Sequence, residues 1–508
     1  MPLLPLRDYR FLGTTQSLCP ECLAVVPAKI VSRDRRVYFR KHCKQHGPRE
    51  DFVCSNDRWF DRMEFSLPGR MPSQFAIEPR RGCPYDCGLC TEHEQHTCIA
   101  VLEITSSCNL TCPLCYASSS PGGIPVPVES CRRAIDRLVQ YEGRPEILQL
   151  SGGEPTVHPQ FVEILDYACA QPIDIVMINT NGVRLATDRR LREELARRNR
   201  RCEVYLQFDG FDDKIYRTLR GEPLLDLKLK AIELLGELDV RVILVSTVQA
   251  ELNLDQCGDI VKFGMERPWI TGASFQPATY VGRHVLPETL ERRVTFPDVI
   301  HGIVEQTDGA WRESDFLPLP CAHPNAHSLA YAYREGSRSV PLTRFIDIAN
   351  HLDLLANGIT FNRASARSLI GEFLSRQSCG CSEGCGPMTL PDHRKTGGFA
   401  SLPVVDPAID PPLDPQVNRL AESFFSRCVA EELSPADVFR ITTTSFMDAY
   451  NFDIRQLMKS CVHHLLPSGH LIPFCAYNLL YRDGHVPLPP LAEPVEAELH
   501  QLPVEVAG

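Results

Sequence analysis

The chain has 508 residues, which at roughly 100–200 residues per domain means about two to four domains and excludes a single small binding module. Its 53 basic and 64 acidic residues leave a net charge of −11, and 43% hydrophobic content with 8% aromatic describes a soluble globular protein, not a basic nucleic-acid binder. No apolar run approaches the ~20 residues that a bilayer span needs, and early charges replace a signal-type stretch at the N-terminus, so the expected location is cytoplasmic, with at most peripheral membrane association.

The unusual feature is 22 cysteines, which in a reducing compartment point to metal more than to disulfides. Eleven fall between Cys19 and Cys115 in tight groups, whereas Cys131, Cys169, Cys202, Cys257 and Cys428 stand alone and read as small buried hydrophobes. Residues 1–80 hold Cys19-Pro-Glu-Cys22, a strand-like stretch from Val37 to Arg40, Cys43-Lys-Gln-His46-Gly47 and Cys54. Two thiolates spaced by two residues grip one tetrahedral ion, and a second pair across a hairpin closes the site. Cys19, Cys22 and Cys43 are clear ligands, and His46 and Cys54 compete for the fourth place. The expectation is a rubredoxin-like or zinc-ribbon-like module holding one mononuclear iron or zinc.

Segment 81–98 carries Cys83-Pro-Tyr-Asp-Cys87-Gly-Leu-Cys90, with Cys98 eight residues on as a fourth thiol, which reads as a closed auxiliary 4Fe-4S cluster. From 99 to 285 the text alternates strand and helix. Strands are expected at 100–105, 146–151, 173–179, 203–208, 240–248 and 273–277, with amphipathic stretches such as Ile135, Leu138, Val139 and Ala231, Leu234, Leu235 between them. Six such units make a partial α/β barrel, whose chemistry belongs at the C-terminal strand ends. Residues 286–485 read as a cysteine-containing α+β extension, interrupted by a proline-rich connector at 402–415, and 486–508 as a disordered tail.

The first barrel strand leads into Cys108-Asn-Leu-Thr-Cys112-Pro-Leu-Cys115. An iron-sulfur cube ordinarily takes four thiolates, so three close cysteines without a nearby fourth leave one iron open to a ligand. A zinc knuckle is the blander reading of that loop. The second strand ends in Ser151-Gly152-Gly153-Glu154-Pro155, where two glycines permit close backbone approach and a carboxylate can accept from a charged amine. This pair of motifs resembles the radical S-adenosylmethionine (radical SAM) superfamily. The resemblance implies that Cys108, Cys112 and Cys115 carry the catalytic cluster, that S-adenosylmethionine chelates its open iron with Gly152, Gly153 and Glu154 holding the methionine amine, and that reductive cleavage yields a 5'-deoxyadenosyl radical. Asn181, Gln207, Asp209 and Gln276, at later strand ends, fall where ribose, adenine or substrate would lie, although Asn-Gly and Asp-Gly are also ordinary turn chemistry.

The order of motifs from Cys19 to the Phe474-Cys475-Ala-Tyr-Asn478 run further resembles tetraether lipid synthases, their bacterial relatives and the radical methylases of pterin precursors. That resemblance implies carbon-carbon bond formation between lipid hydrocarbon chains as the first reading and methylation of a pterin or similar heterocycle as the alternative. It also implies a radical cluster, at least one auxiliary cluster, a small-molecule or lipid substrate and an external electron donor such as flavodoxin or ferredoxin. The chain departs from the pattern at Ala326 and Ser460, where cysteines often stand. Cys321, Cys461 and Cys475 therefore compete with Cys379, Cys381 and Cys385 for any C-terminal cluster. An iron-sulfur electron carrier or metal sensor without catalysis is the alternative from another class.

Overall fold

The computed structural model describes residues 7–348, 350–352, 415–430, 432–491 and 495–496. Strands β1 (Arg10–Leu18), β2 (Val25–Arg33), β3 (Arg36–Cys43) and β4 (Gly47–Cys54) form an antiparallel sheet in sequential order. Period-two alternation builds it: Val37, Phe39, Lys41 and Cys43 are buried along β3, and Arg36, Arg40 and His42 are exposed. Lys41 lies inside and is paired with Asp51 at 3.0 Å. It also donates to the carbonyls of Ala449 (3.1 Å) and Tyr450 (2.7 Å), which ties the ribbon to the far end of the chain. A two-residue strand β5 (Gln74–Phe75) follows.

The barrel strands are β6 (Ile99–Glu103), β7 (Ile147–Ser151), β8 (Ile175–Thr180), β9 (Cys202–Gln207), β10 (Val242–Val248) and β11 (Ile270–Pro277), parallel and in sequential order. Their ends lie within three residues of the positions expected from sequence. Helices α1 (Val128–Glu142), α2 (Phe161–Ala170), α3 (Val183–Thr187), α4 (Arg189–Ala196), α5 (Asp213–Arg220), α6 (Leu225–Gly236) and α7 (Cys257–Met265) cover the outer face, and α8 (Phe296–Gln306) packs beside α7. In α1, Cys131, Ala134, Ile135, Leu138 and Tyr141 are buried on one stripe.

Beyond α8 come β12 (Leu317–Pro318), β13 (His327–Glu335), β14 (Arg338–Pro341), a helix at Pro415–Val429, β15 (Val438–Thr444), β16 (Val462–Leu465), β17 (Leu471–Pro473) and β18 (Val495–Glu496), the last paired with β5. The extension is not a separate layer. β15 adds in parallel to β11, and β16 adds in parallel to β6, so the six-stranded barrel is widened at both edges into one mixed sheet. Sequence periodicity could not show this, because β15 and β16 lie over 160 residues from the end of the last expected strand. The tail does not begin at 486: Val486 is buried, and the Pro489 carbonyl lies 2.8 Å from His470 Nε2. Among the described residues no helix is long and apolar enough to cross a membrane.

Lys41→Met leaves the buried Asp51 carboxylate to Arg49 alone (2.7 Å) and strands the carbonyls of Ala449 and Tyr450, a loss of about 1–3 kcal/mol. Chemical denaturation should show that loss as a lower midpoint.

Candidate active site

Gly152 and Gly153 determine how the β7 end meets the loop after β6. Gly152 has φ +136°, and a side chain there would meet the Thr105 carbonyl oxygen at 2.2 Å; one on Gly153 would meet the Ser107 carbonyl oxygen at 2.2 Å. The amides of Gly153 and Glu154 donate to Thr105 O (2.8 Å) and Ser107 O (2.9 Å). The glycines thus permit close packing on the stem of the cysteine loop. On its other side, Arg283 donates to the carbonyls of Cys112 (2.7 Å), Ser118 (3.3 Å) and Ser119 (2.7 Å), while Cys115 and Arg283 exchange backbone bonds of 2.8 and 3.0 Å.

Cys108, Cys112 and Cys115 line one cavity with Gly152, Gly153, Asn181, Gln207 and Gln276. Burial pushes the Cys108 thiol up to about 11 and raises Cys112 as well, so both are protonated until a metal displaces the proton. The Leu110 amide donates to Cys108 Sγ at 3.4 Å, a contact that favours a ligated thiolate. Three thiols on one short loop, facing a shared cavity, fit a site-differentiated 4Fe-4S cluster with a ligand on its fourth iron.

Two expectations change. Glu154 does not line the cavity. Its Oε1 accepts from the Thr156 amide (3.1 Å), Thr156 Oγ1 (2.6 Å) and Thr180 Oγ1 (2.7 Å), and its Oε2 from the Asn181 amide (2.7 Å). The carboxylate is buried and engaged by the protein itself, which leaves the Gly152–Gly153 backbone to face a methionine amine. Asp209 is likewise absent from the wall: it binds Arg220 through two 2.8 Å bonds and accepts from the Thr247 amide at 3.0 Å. Arg220, which reaches the cavity beside Cys112, is the residue that sequence reading missed. No spacing signals it, since it ends an ordinary amphipathic helix. Lys228 was missed for the same reason; it is wholly buried, donates to the Asn181 carbonyl and is pushed down to about 8 by burial.

In the ribbon, Cys19, Cys22, Cys43 and His46 place all four ligand atoms within 4.8 Å of one another, as one tetrahedral ion requires. His46 Nδ1 lies 3.5 Å from Cys19 Sγ and 3.6 Å from Cys43 Sγ. Cys54 is excluded from that site: it is a core residue with its thiol pushed up to about 12 by burial, 3.5 Å from the Asn56 carbonyl. Cys83 lies beside Cys87 and, with burial, raises its thiol well above the usual range, and Cys90 is close enough to add to the shift. Cys98 does not join them. Cys321 and Cys461 lie beside it and, with burial, raise its thiol well above the usual range. Cys475 stands apart on the cavity wall, where its sulfur accepts from the Met447 amide at 3.1 Å. Cys379, Cys381 and Cys385 lie outside the described residues.

Comparison with known proteins agrees with this geometry. The description "Radical SAM superfamily" matches residues 102–264, and "HMPTM N-terminal zinc ribbon domain" matches residues 11–55. A 7,8-dihydro-6-hydroxymethylpterin dimethyltransferase of Methanocaldococcus jannaschii is 30% identical over 502 residues, covering 92% of this chain and 94% of its own. The chain belongs to the radical SAM superfamily. A mycofactocin maturase of Mycolicibacterium smegmatis is 30% identical over 155 residues, covering 30% of this radical SAM chain and 38% of its own. The crystal structure of Streptococcus suis SuiB aligns over 42% of this chain and 46% of its own, at 18% identity and TM-score 0.35, a likeness too slight to bear on function.

Radical SAM membership makes the chain an enzyme with a 4Fe-4S cluster and S-adenosylmethionine as cofactors, and its ribbon has a site for one mononuclear metal. Glu154→Gln should cost about 1–3 kcal/mol in a thermal melt, because the amide cannot accept all four bonds, while calorimetric affinity for S-adenosylmethionine stays near that of the parent. In the ribbon, Cys54→Ser should retain one bound metal per chain by elemental analysis, and His46→Ala should lose most of it.

Proposed function

We propose that this radical SAM enzyme methylates or alkylates a polar, nitrogen-rich heterocycle of the reduced-pterin class. The observation that carries the reading is a set of carboxamides placed inside an otherwise largely apolar barrel cavity. Gln149 of β7, Asn179 of β8, Gln207 of β9 and Gln276 of β11 all line the cavity, joined there by Tyr205 and Arg440. Gln207 Oε1 is buried with no protein partner. Against a hydrocarbon chain such an acceptor stays unpaired, at a cost of about 1–3 kcal/mol, whereas a pteridine edge offers N–H donors and ring-nitrogen acceptors that match carboxamides. The end-to-end likeness to a pterin dimethyltransferase supports the same substrate class. This reading stands ahead of the coupling of lipid hydrocarbon chains that the motif order first implied.

When bound at Cys108, Cys112 and Cys115, a 4Fe-4S cluster together with S-adenosylmethionine supplies a carbon-centred radical by one-electron cleavage of the sulfonium. The chain's own groups do the rest. Arg283 braces the cysteine loop, and Arg220, oriented by Asp209, brings a cation to the wall beside Cys112, where a cofactor carboxylate would be held. The carboxamides orient the heterocycle above an apolar floor that includes Ile147, Met177 and Val245, which excludes water from the reacting carbon. Cys83, Cys87 and Cys90 form an auxiliary cluster site, and an external one-electron donor of the flavodoxin or ferredoxin kind serves the enzyme in the cytoplasm.

Reduced, reconstituted enzyme given S-adenosylmethionine and 6-hydroxymethyl-7,8-dihydropterin should convert the pterin to a product heavier by one or more methyl increments in mass spectra. Turnover of a glycerol-ether lipid with the pterin untouched would restore the hydrocarbon reading. Gln207→Leu should raise the KM for the pterin roughly fivefold to a hundredfold with iron content unchanged.

A further inference from the structure

We propose that Cys169 and Cys202 form a redox-active dithiol, a site of reversible oxidation at which a small-molecule disulfide of the glutathione class converts the two thiols to a disulfide that staples α2 to β9. Both stand alone in the sequence, with no second cysteine at metal-ligand spacing, and read there as small buried hydrophobes. The fold brings them together. Their sulfurs lie 3.6 Å apart although 33 residues separate them along the chain. Cys169 sits in the last turn of α2 and Cys202 opens β9, so each thiol is carried by a regular element.

The backbone around the pair is firmly held. The Cys202 amide donates to the Arg198 carbonyl (2.8 Å), and the Cys202 carbonyl accepts from Arg241 (3.3 Å). Arg201 reaches back to the end of α2, where it donates to the carbonyls of Gln171 (2.7 Å) and Ile173. An S–S bond of about 2 Å asks the sulfurs to close by roughly 1.5 Å, a displacement on the scale of a χ1 adjustment. A metal ion does not suit the pair. Among the described residues only the ribbon gathers three or more such ligands, and two thiols would leave a tetrahedral ion half-coordinated.

The two thiols have different roles. Cys169 is partly exposed and Cys202 fully buried, so an incoming reagent meets Cys169 while Cys202 waits behind it. The hydrogen bond from Cys202, joined by the charges of Arg198 and Arg201, holds Cys169 below the usual thiol range, which favours the attacking thiolate. That thiolate attacks one sulfur of the small disulfide, forming a mixed disulfide and expelling a first thiolate, which takes the Cys202 proton. The Cys202 sulfur then attacks Cys169 Sγ, breaks the mixed disulfide and releases a second thiolate, which takes up the proton that Cys169 gave to solvent. The protein has lost two electrons and two protons, and the small disulfide has become two thiols. Excess thiol runs the steps backward. Neither cysteine lines the reaction cavity, and Cys202 lies at the opposite end of β9 from Gln207, which does, a separation of roughly 16 Å at about 3.3 Å per residue. The staple therefore acts on stability and not on the chemistry, whichever substrate the enzyme takes.

The experiment equilibrates full-length, cluster-loaded protein anaerobically across a series of glutathione redox buffers, then quenches it in acid, alkylates and digests it. Mass spectrometry should find a linked Cys169–Cys202 peptide pair, two hydrogens lighter than the free peptides together. Its fraction should follow the ratio of disulfide to squared thiol concentration and vanish in excess dithiothreitol. Cys202→Ser should carry glutathione on Cys169, and Cys169→Ser should leave Cys202 unmodified. The oxidised parent should melt a few degrees above the reduced parent, because the link closes a loop in the unfolded chain. Should either serine variant fail to fold, the peptide map of the parent decides. Two thiols left free at every buffer ratio, or a link from either to a different cysteine, would overturn the dithiol; a melting temperature no higher in the oxidised form would overturn the staple.

Discussion

The contact between Gly152–Gly153 and Thr105–Ser107 is the constraint on which the site depends. Two strand ends pass so closely that a Cβ on either glycine would sit 2.2 Å from a carbonyl oxygen. That approach leaves the Glu154 carboxylate beneath the loop, and four donors from Thr156, Thr180 and Asn181 satisfy it there. Asn181 in turn donates to Asn109 at 2.7 Å, one residue from Cys108. The ends of β6, β7 and β8 are thereby locked to one another before any cofactor binds, and the cysteine loop has a rigid floor. Rigidity here has a physical source: a buried carboxylate with all its donors in place is expensive to disturb, because any shift strands a charge or an amide away from water.

Buried charge surrounds that floor. Asp209 and Arg220 form a bidentate pair, and Lys228 sits behind them on the Asn181 carbonyl. Such pairs contribute little net stability, since desolvation offsets the attraction. Their effect is positional: they hold a guanidinium at the cavity wall beside Cys112 where a flexible, solvated arginine would not stay. The carboxamides that line the barrel are held in the same way: Asn179 donates to Ser151 (3.1 Å) and Gln276 to the Tyr205 hydroxyl (3.1 Å), while Gln207 Oε1 has no protein partner.

The ribbon and the extension belong to the same machine. Lys41 joins the ribbon to residues 449–450, and β15 and β16 widen the barrel at both edges, so N- and C-terminal segments meet around the central strands. The enzyme is a barrel assembled from segments distant in sequence, and Cys98, Cys321 and Cys461 lie where such segments come together.

The sequence by itself determined what depends on local spacing. Cys108-x3-Cys112-x2-Cys115 after a strand, Gly-Gly at the next strand end, six strand-helix units and the Cys19, Cys22 and Cys43 knuckle were legible because a few residues of chain can reach only a few ångströms. Local text left His46 and Cys54 level; the β3–β4 hairpin register decided for His46 by turning Cys54 into the core. Glu154 and Asp209 read as cofactor ligands because the sequence displays a carboxylate but not the donors that will surround it, and folding delivered Thr180, Asn181 and Arg220 to them. The partners of Cys98 were out of reach for the same reason. Proximity along the chain assigned it to Cys83, Cys87 and Cys90, while closure of the sheet brought Cys321 and Cys461 to it from more than 200 residues away. Which groups a short loop presents is a matter of covalent reach; which distant groups meet them is decided by strand order, and that exists only in the folded chain.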